Sequence, residues 1–159
     1  MDIWKKRDWE KYYNGRDYRR GLRVRYEKSV DPEVSQAIKS FAAWLRKEYK
    51  FPKRVVVYVK GDRRIKSMHG DYVCDTFFRP ADRNVEPYAR IATGDYPELL
   101  EQIWRDNALA DILFHIAREL TCYFQWLNDL ELTPIGEERQ ATNCARKILE
   151  DYSQTRDHP

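Results

Sequence analysis

Apolar residues recur with the spacing of an α-helix in several parts of the chain. The first of these begins at Asp31 and Pro32, a cap and first-turn pair that is typical of a helix start, and Pro52 ends it. The most apolar stripe lies in the second half of the chain and predicts a long helix. The predicted helices cover 31–50, 97–105, 107–128 and 137–152.

Between the first helix and the others, the pattern changes to that of β-strands. The run from Arg54 to Lys60 is rich in β-branched residues and ends at Gly61 and Asp62. Two further strands are predicted, each ended by proline or by glycine with aspartate. We expect a small three-stranded sheet, antiparallel or mixed, in which each strand lies beside the one before it, and hence an α+β domain. The predicted strands cover 54–60, 72–79 and 86–93.

The composition fits one folded domain. A chain of 159 residues with 42% hydrophobic and 14% aromatic residues can bury a substantial core and is not disordered as a whole. Because 35% of the residues are charged and the apolar runs are short, we expect no membrane span and no secretory signal. Three cysteines without such a signal favour a reducing, cytoplasmic location. The expected parts are an N-terminal arm at 1–30, a domain at 31–152 and a tail at 153–159.

The N-terminal arm carries most of the charge asymmetry. Residues 1–30 hold ten Lys and Arg against five Asp and Glu, whereas the whole chain has a net charge of only +3. Six aromatic residues are interleaved with these charges, and this combination is found in proteins that bind single-stranded nucleic acid. The other interpretation is that the aromatic rings pack on the domain while the charges stay solvated. Nucleic-acid binding by the arm is therefore an alternative function.

The long predicted helix has a polar face beside its apolar stripe. Six residues fall away from the centre of that stripe: Asp111, His115, Arg118, Glu119, Cys122 and Trp126. Positions 118, 119 and 122 lie within an arc of about 100° at helical spacing. Polar groups on such an apolar helix are expected to face a groove or another polar element.

The segment around them, Ala117-Arg-Glu-Leu-Thr-Cys-Tyr-Phe-Gln-Trp126, resembles the zinc-binding helix of small gluzincin-type metallopeptidases. That helix reads roughly A-H-E-L-x-H-Y-F-Q-W, with two histidines on one metal and the glutamate as general base. In that family a glutamate on the next helix is the third ligand, and Glu138 stands at the matching position. The resemblance covers about residues 31–152 and implies a minimal zincin-like fold, with an N-terminal helix, a small three-stranded sheet, an active-site helix and a glutamate helix.

Both histidine positions of the motif are replaced, by Arg118 and Cys122. Arginine has no lone pair for zinc and holds a fixed positive charge where the cation would lie, so we expect no bound metal. Glu119 keeps the position of the general base, but without metal it has no activated water to deprotonate. We expect the Arg118 guanidinium to pair with Glu138 from the facing helix, or less favourably with Glu119.

The resemblance also implies a substrate cleft. In such proteins an edge strand lies along the cleft, where an extended peptide can add by backbone pairing. The matching residues here are Arg90, Ile91, Ala92 and Thr93, and His115 is the helix residue expected to face them.

The main functional prediction is a pseudoenzyme that binds a peptide or a protein without zinc and without catalysis. One alternative is an active metallopeptidase with an unusual ligand set, supported by Glu119, Cys122 and Glu138. A shifted metal site would instead use His115, Glu119 and Glu138, because His115 lies too far from Cys122 along the helix to share an ion with it. The other alternative is the nucleic-acid-binding protein that the basic arm indicates. No partner is specified beyond these classes, and no membrane partner is expected.

Overall fold

The computed structural model describes residues 2–13 and 21–155. Within these ranges the chain folds as a mixed α+β structure, with a four-stranded sheet, a two-stranded hairpin, a short 3-10 helix at Asp8–Lys11 and long helices. The strands are β1 Leu22–Tyr26, β2 Val55–Lys60, β3 Ile65–Lys66, β4 Tyr72–Val73, β5 Asp75–Phe78 and β6 Tyr88–Ala92, and the helices are α1 Pro32–Glu48, α2 Tyr96–Leu127 and α3 Pro134–Ser153.

The helices confirm the helical periods of the sequence, with changes at their ends. The Asp31 side chain accepts a hydrogen bond from the Glu33 amide at 2.8 Å and caps α1 as predicted. The two predicted helices of the central region form one element, α2, which is interrupted at Trp104 by a backbone with φ 68° and ψ 166°. The last helix begins earlier than predicted because Thr133 is its cap and Pro134 its first residue.

The four-stranded sheet differs from the predicted one in strand number and in order. Its order is β1-β2-β6-β5, with β1, β2 and β6 parallel and β5 antiparallel to β6. The expectation of three strands, each beside the one before it, is therefore wrong. A parallel pair needs a crossover connection, and the chain between β2 and β6 contains β3, β4 and β5.

Strand β1 was not predicted, and the predicted strand over 72–79 is divided. In β1, Leu22 and Val24 face the core while Arg23 and Arg25 are exposed, which is the period of two expected for a half-buried strand. Strand β1 has only five residues, and its alternation is difficult to recognise within a basic segment. The other strand breaks at Cys74, so that β4 pairs with β3 and β5 joins the main sheet.

The N-terminal residues pack into the same core as the rest of the chain. Ile3, Trp4 and Trp9 are buried. The Trp4 indole donates to Thr121 Oγ1 at 2.9 Å, and the Trp9 amide donates to the Asn128 side-chain oxygen at 3.2 Å. The rings of Trp4 and Trp9 thus pack on the rest of the core, as the second interpretation of the arm expects.

Helices α1 and α2 lie against one face of the main sheet, and α3 packs on α2. Val55, Val57 and Val59 of β2 and Ala89 and Ile91 of β6 share one hydrophobic cluster with the buried residues of the helices, which are mostly fully excluded from solvent. Helix α2 contacts β5 and β6, and α3 packs along α2. Among the described helices, none is long and apolar enough to cross a membrane.

Candidate functional site

A cleft of about 590 Å³ opens between β5, α2 and α3, and the polar face of α2 forms one of its walls. The α2 residues predicted from the sequence, His115, Arg118, Glu119 and Cys122, all border this cleft, and so does Glu138 of α3. The opposite wall comes from β5 and its flanking residues, which the sequence analysis did not assign to a site. These are Val73, Cys74, Asp75, Thr76, Phe77 and Arg79.

Asp75 lies at the centre of the polar network in the cleft. Only 5% of its side chain is exposed. One carboxylate oxygen binds Nη2 of Arg118, and the other lies 2.7 Å from Nδ1 of His115. A buried carboxylate is stable only with such partners, so the two α2 residues and the β5 aspartate are one electrostatic unit.

The expected partner of Arg118 was Glu138, and this prediction is wrong. Glu138 is exposed on α3, and among the residues that the structure describes, the carboxylates within ion-pair distance of the Arg118 guanidinium are Asp75 and Glu119, the latter at 3.8 Å from Nε. The pair therefore joins α2 to the sheet and not α2 to α3. The sequence carries no clear signal for Asp75, because the alternating positions beside it, Phe77 and Arg79, combine an apolar and a charged side chain.

His115 is positively charged at neutral pH in this setting. Its Nδ1 contacts Asp75, and its Nε2 lies 3.6 Å from Asp111 one turn earlier on α2. Burial lowers the pKa of His115, but the hydrogen bonds and charges of Asp111 and Asp75 outweigh it and raise the pKa to about 9. The charged ring therefore donates from Nδ1 to Asp75 and points Nε2 toward the Asp111 carboxylate.

Glu119 is a buried carboxyl group whose pKa is raised to about 8. Burial is the largest cause, and the negative charge of Asp75 adds to it, whereas Arg118, Arg79 and His115 act in the opposite direction. The group is therefore mostly a neutral acid at pH 7. This state is opposite to that of a general base, which must be ionised to accept a proton.

Cys122 also stays neutral. Burial raises the pKa of its thiol to about 12, and the neighbouring Glu119 adds to the shift. In the metal-free cleft a thiol with such a pKa is not a nucleophile at neutral pH. Across the ranges 2–13 and 21–155, no three side chains of His, Cys, Asp and Glu are grouped in a way that could hold a metal ion.

A second polar network closes one end of the cleft. Nη2 of Arg79, just after β5, donates to the Gln125 side-chain oxygen at 2.9 Å and lies 3.5 Å from the Glu137 carboxylate. The Gln125 amide nitrogen in turn donates to the Glu137 carbonyl at 3.1 Å and to the Gln140 side chain at 2.9 Å. These bonds connect the end of β5, the C-terminal end of α2 and the first turns of α3, so the cleft wall is fixed at this end.

The strand at the edge of the cleft is β5, and the predicted strand β6 is not an edge. Arg90, Ile91 and Ala92 pair with β2 on one side and with β5 on the other, so they are enclosed in the sheet. Thr93 is buried, with its hydroxyl bonded to the Lys60 carbonyl at 2.7 Å. Thr93 and Ala92 border a separate cavity of about 60 Å³, which His115 also touches.

The free edge of β5 faces away from β6. The Ala92 amide donates to the Cys74 carbonyl at 2.7 Å, which makes Cys74 and Ala92 a hydrogen-bonded pair of the antiparallel ladder. Because such pairs alternate, Thr76 and Phe78 bond to β6, while the amide and carbonyl groups of Asp75 and Phe77 point outward. The outward groups are available to an added strand.

Comparisons with protein-family models, curated proteins and solved structures give no significant match for this chain.

Proposed function

We propose that the chain is a zincin-like scaffold that works without zinc and binds an extended segment of a peptide or protein along the free edge of β5. The observation that carries the proposal is the position of the Arg118–Asp75 pair beside that edge. A fixed positive charge stands where the resemblance implies the first zinc ligand. The same pair anchors the edge strand to α2.

The protonation states of the cleft support a binding role over a catalytic one. Glu119 is mostly neutral at pH 7, His115 is charged and lies between Asp75 and Asp111, and Cys122 is a thiol. In the resembling enzymes the glutamate would act on a metal-bound water. The neutral Glu119 acid can instead donate a hydrogen bond, and the Arg118 guanidinium has donors beyond the one bound to Asp75.

The shape of the cleft supports an extended ligand. Its wall is a strand edge with outward amides and carbonyls at Asp75 and Phe77, and a peptide can pair with such an edge as an additional strand. Main-chain pairing would provide affinity, and side chains of the ligand would lie over α2 and α3, which supply Arg118, Glu138 and Thr142. An open strand edge can pair with other chains and cause aggregation. Here α2 and α3 border the β5 edge and limit access to it.

The test is peptide binding with variants of one residue. A library of eight-residue peptides displayed on phage is selected on the immobilised protein, and the best sequence is synthesised. Phe77→Pro removes the outward amide, which does not bond to β6, whereas Phe77→Ala removes the ring but keeps the amide. We expect Phe77→Pro to bind the peptide at least tenfold more weakly than Phe77→Ala, measured by calorimetry.

Circular dichroism melts of both variants check that the sheet is intact. Equal affinities for the two variants would contradict strand addition at β5. Failure of the selection to enrich any peptide over a blank surface would contradict the proposed function as a whole.

A further inference from the structure

The main sheet has a second face, opposite the helices. Side chains alternate between the two faces of a strand, and the register places residues of all four strands side by side in two rows on this outer face. One row is Arg23, Val56, Tyr88 and Phe78, and the other is Arg25, Tyr58, Arg90 and Thr76.

Three aromatic rings form the centre of the outer face. The Tyr58 and Tyr88 rings are 5.8 Å apart between centroids, and the Tyr88 and Phe78 rings are 5.1 Å apart. All three side chains are partly exposed, and none belongs to the hydrophobic cluster that the helices cover. They form a continuous aromatic surface across β2, β6 and β5, about 10 Å wide at the usual strand spacing.

Cations border this aromatic surface. Arg23 and Arg25 are exposed on β1, and neither forms an ion pair within residues 2–13 and 21–155. Lys60 lies over the Tyr58 ring at 5.9 Å. Arg90 is a further cation on the outer face, and its guanidinium donates to the Lys66 carbonyl of the β3–β4 hairpin at 2.7 Å.

Two carboxylates neutralise part of this charge. Glu86 pairs with Arg54 at 2.9 Å, and Glu27 lies 3.7 Å from Lys60. The arginines of β1 remain in excess beside the aromatic rings. An anionic ligand with flat apolar groups therefore fits the outer face better than an apolar or a cationic one.

We propose that the outer face of the sheet binds single-stranded nucleic acid, with bases stacked on Tyr58, Tyr88 and Phe78 and phosphates contacting Arg23 and Arg25. Bases of any identity stack on aromatic rings, and a surface three strands wide takes two or three bases. A duplex does not fit this surface, since its bases are stacked on one another. This surface is separate from the peptide cleft. Of the N-terminal arm it includes only β1, which supplies Arg23 and Arg25.

The binding test uses fluorescein-labelled ten-nucleotide probes, oligo(U) and oligo(dT), with fluorescence anisotropy on the full chain at 50 and 200 mM salt. We expect saturable binding of both probes, weaker at the higher salt, and at least tenfold weaker binding of a ten-base-pair duplex. Since each phosphate contact on a single strand contributes about 0.7 to the slope of log affinity against log salt, Arg23→Gln with Arg25→Gln is expected to reduce that slope by about 1.4.

Matched variants separate the outer face from general charge and hydrophobicity. Arg139→Gln with Arg146→Gln removes the same charge from exposed positions of α3, and we expect less than a twofold change in affinity. Tyr58→Leu and Tyr88→Leu are each expected to weaken binding by about fivefold or more. Trp104→Leu removes an aromatic side chain that is 80% exposed on the helical side, and we expect it to leave binding unchanged.

Three outcomes overturn the proposal. The first is no binding of either probe at 50 mM salt, and the second is an equal loss in the β1 and α3 arginine pairs. The third is displacement of the probe by polyglutamate at equal charge, since stacking would then contribute nothing. If a leucine variant fails to fold, photocrosslinking of 4-thiouridine probes to the parent protein decides the question, because crosslinks must fall on the peptides with Tyr58, Phe78 or Tyr88.

Discussion

The guanidinium of Arg118 on α2 binds the carboxylate of Asp75 on β5, a residue with only 5% of its side chain exposed. The pair connects α2 to β5, the strand that forms the edge of the cleft. Removing one partner of a buried pair leaves the other charge without compensation.

Arg118→Ala is therefore expected to lower the free energy of unfolding by about 2 kcal/mol. This loss is smaller than that for breaking a fully buried ion pair, because His115 still contacts Asp75 and Arg118 is partly exposed. Urea denaturation at pH 7 measures the change. Arg139→Ala, at an exposed position of α3, is the control and should change stability by less than about 0.5 kcal/mol. In the double variant with Asp75→Asn, the effect of Arg118→Ala should be much smaller, and additive losses would contradict the pairing.

Zinc content gives a second prediction. The purified protein is expected to hold far less than one zinc per chain after dialysis, because Arg118 places a positive charge where the resemblance to zinc peptidases implies a ligand. Arg118→His with Cys122→His restores two imidazoles one helical turn apart, and Glu138 borders the same cleft, so this double variant is expected to bind zinc.

Elemental analysis by mass spectrometry measures the metal in both proteins. Adding Glu138→Gln to the double variant should weaken zinc binding by about tenfold or more, since it removes the third ligand. Equal affinity with and without this glutamine would show that Glu138 is not in the ligand position. Stoichiometric zinc in the parent protein would contradict a metal-free cleft.

The stability of the protein is expected to fall as the pH rises from about 5 to 9. Burial raises the pKa of Glu119 to about 8, so the folded state retains a proton that the unfolded state loses above its ordinary pKa of 4.5. Asp111 and Asp75 raise the pKa of His115 to about 9 against its burial, so the stability from its charged form is complete below pH 6.5 and lost as the pH passes 9. Both groups act in the same direction.

Glu119→Gln separates the two contributions, because glutamine resembles the neutral acid. The variant should match the parent near pH 5 and exceed its unfolding free energy at pH 8 by on the order of 3 kcal/mol. Urea titrations at the two pH values measure this difference. A variant that follows the parent at both pH values would mean that Glu119 is ionised in the folded state.

Trp104 provides a prediction about the backbone. Its φ of 68° and ψ of 166° belong to a region that glycine adopts freely and other residues do not, and its side chain is 80% exposed. Trp104→Gly is expected to raise the free energy of unfolding by about 1 kcal/mol, because strain is relieved and little packing is lost. Trp104→Ala keeps the strain and serves as the control. Glycine no more stable than alanine would contradict a strained backbone at this position.

Local patterns predicted the helices and β2 because these elements are long or strongly periodic. The sheet order could not be predicted in the same way, since β6 lies between β2 and β5 through contacts between residues far apart in sequence. The α2 side of the cleft was visible in the run from Ala117 to Trp126, but its counterpart Asp75 was not. One acid in a short strand gives no periodic signal, and its role follows only from the helix packed against it.

The indole of Trp4 hydrogen-bonds Thr121, a residue 117 positions later in the chain. The Trp4 ring also packs against Tyr49, Phe51 and Phe124, with centroids 5.0, 6.4 and 4.8 Å away. The surface that covers Trp4 therefore comes from two separate parts of the chain and exists only when α2 lies beside the end of α1. Contacts of such long sequence separation slow folding, because loop closure precedes the gain from packing. Burial of Trp4 thus requires the assembled core, and no single helix can provide it.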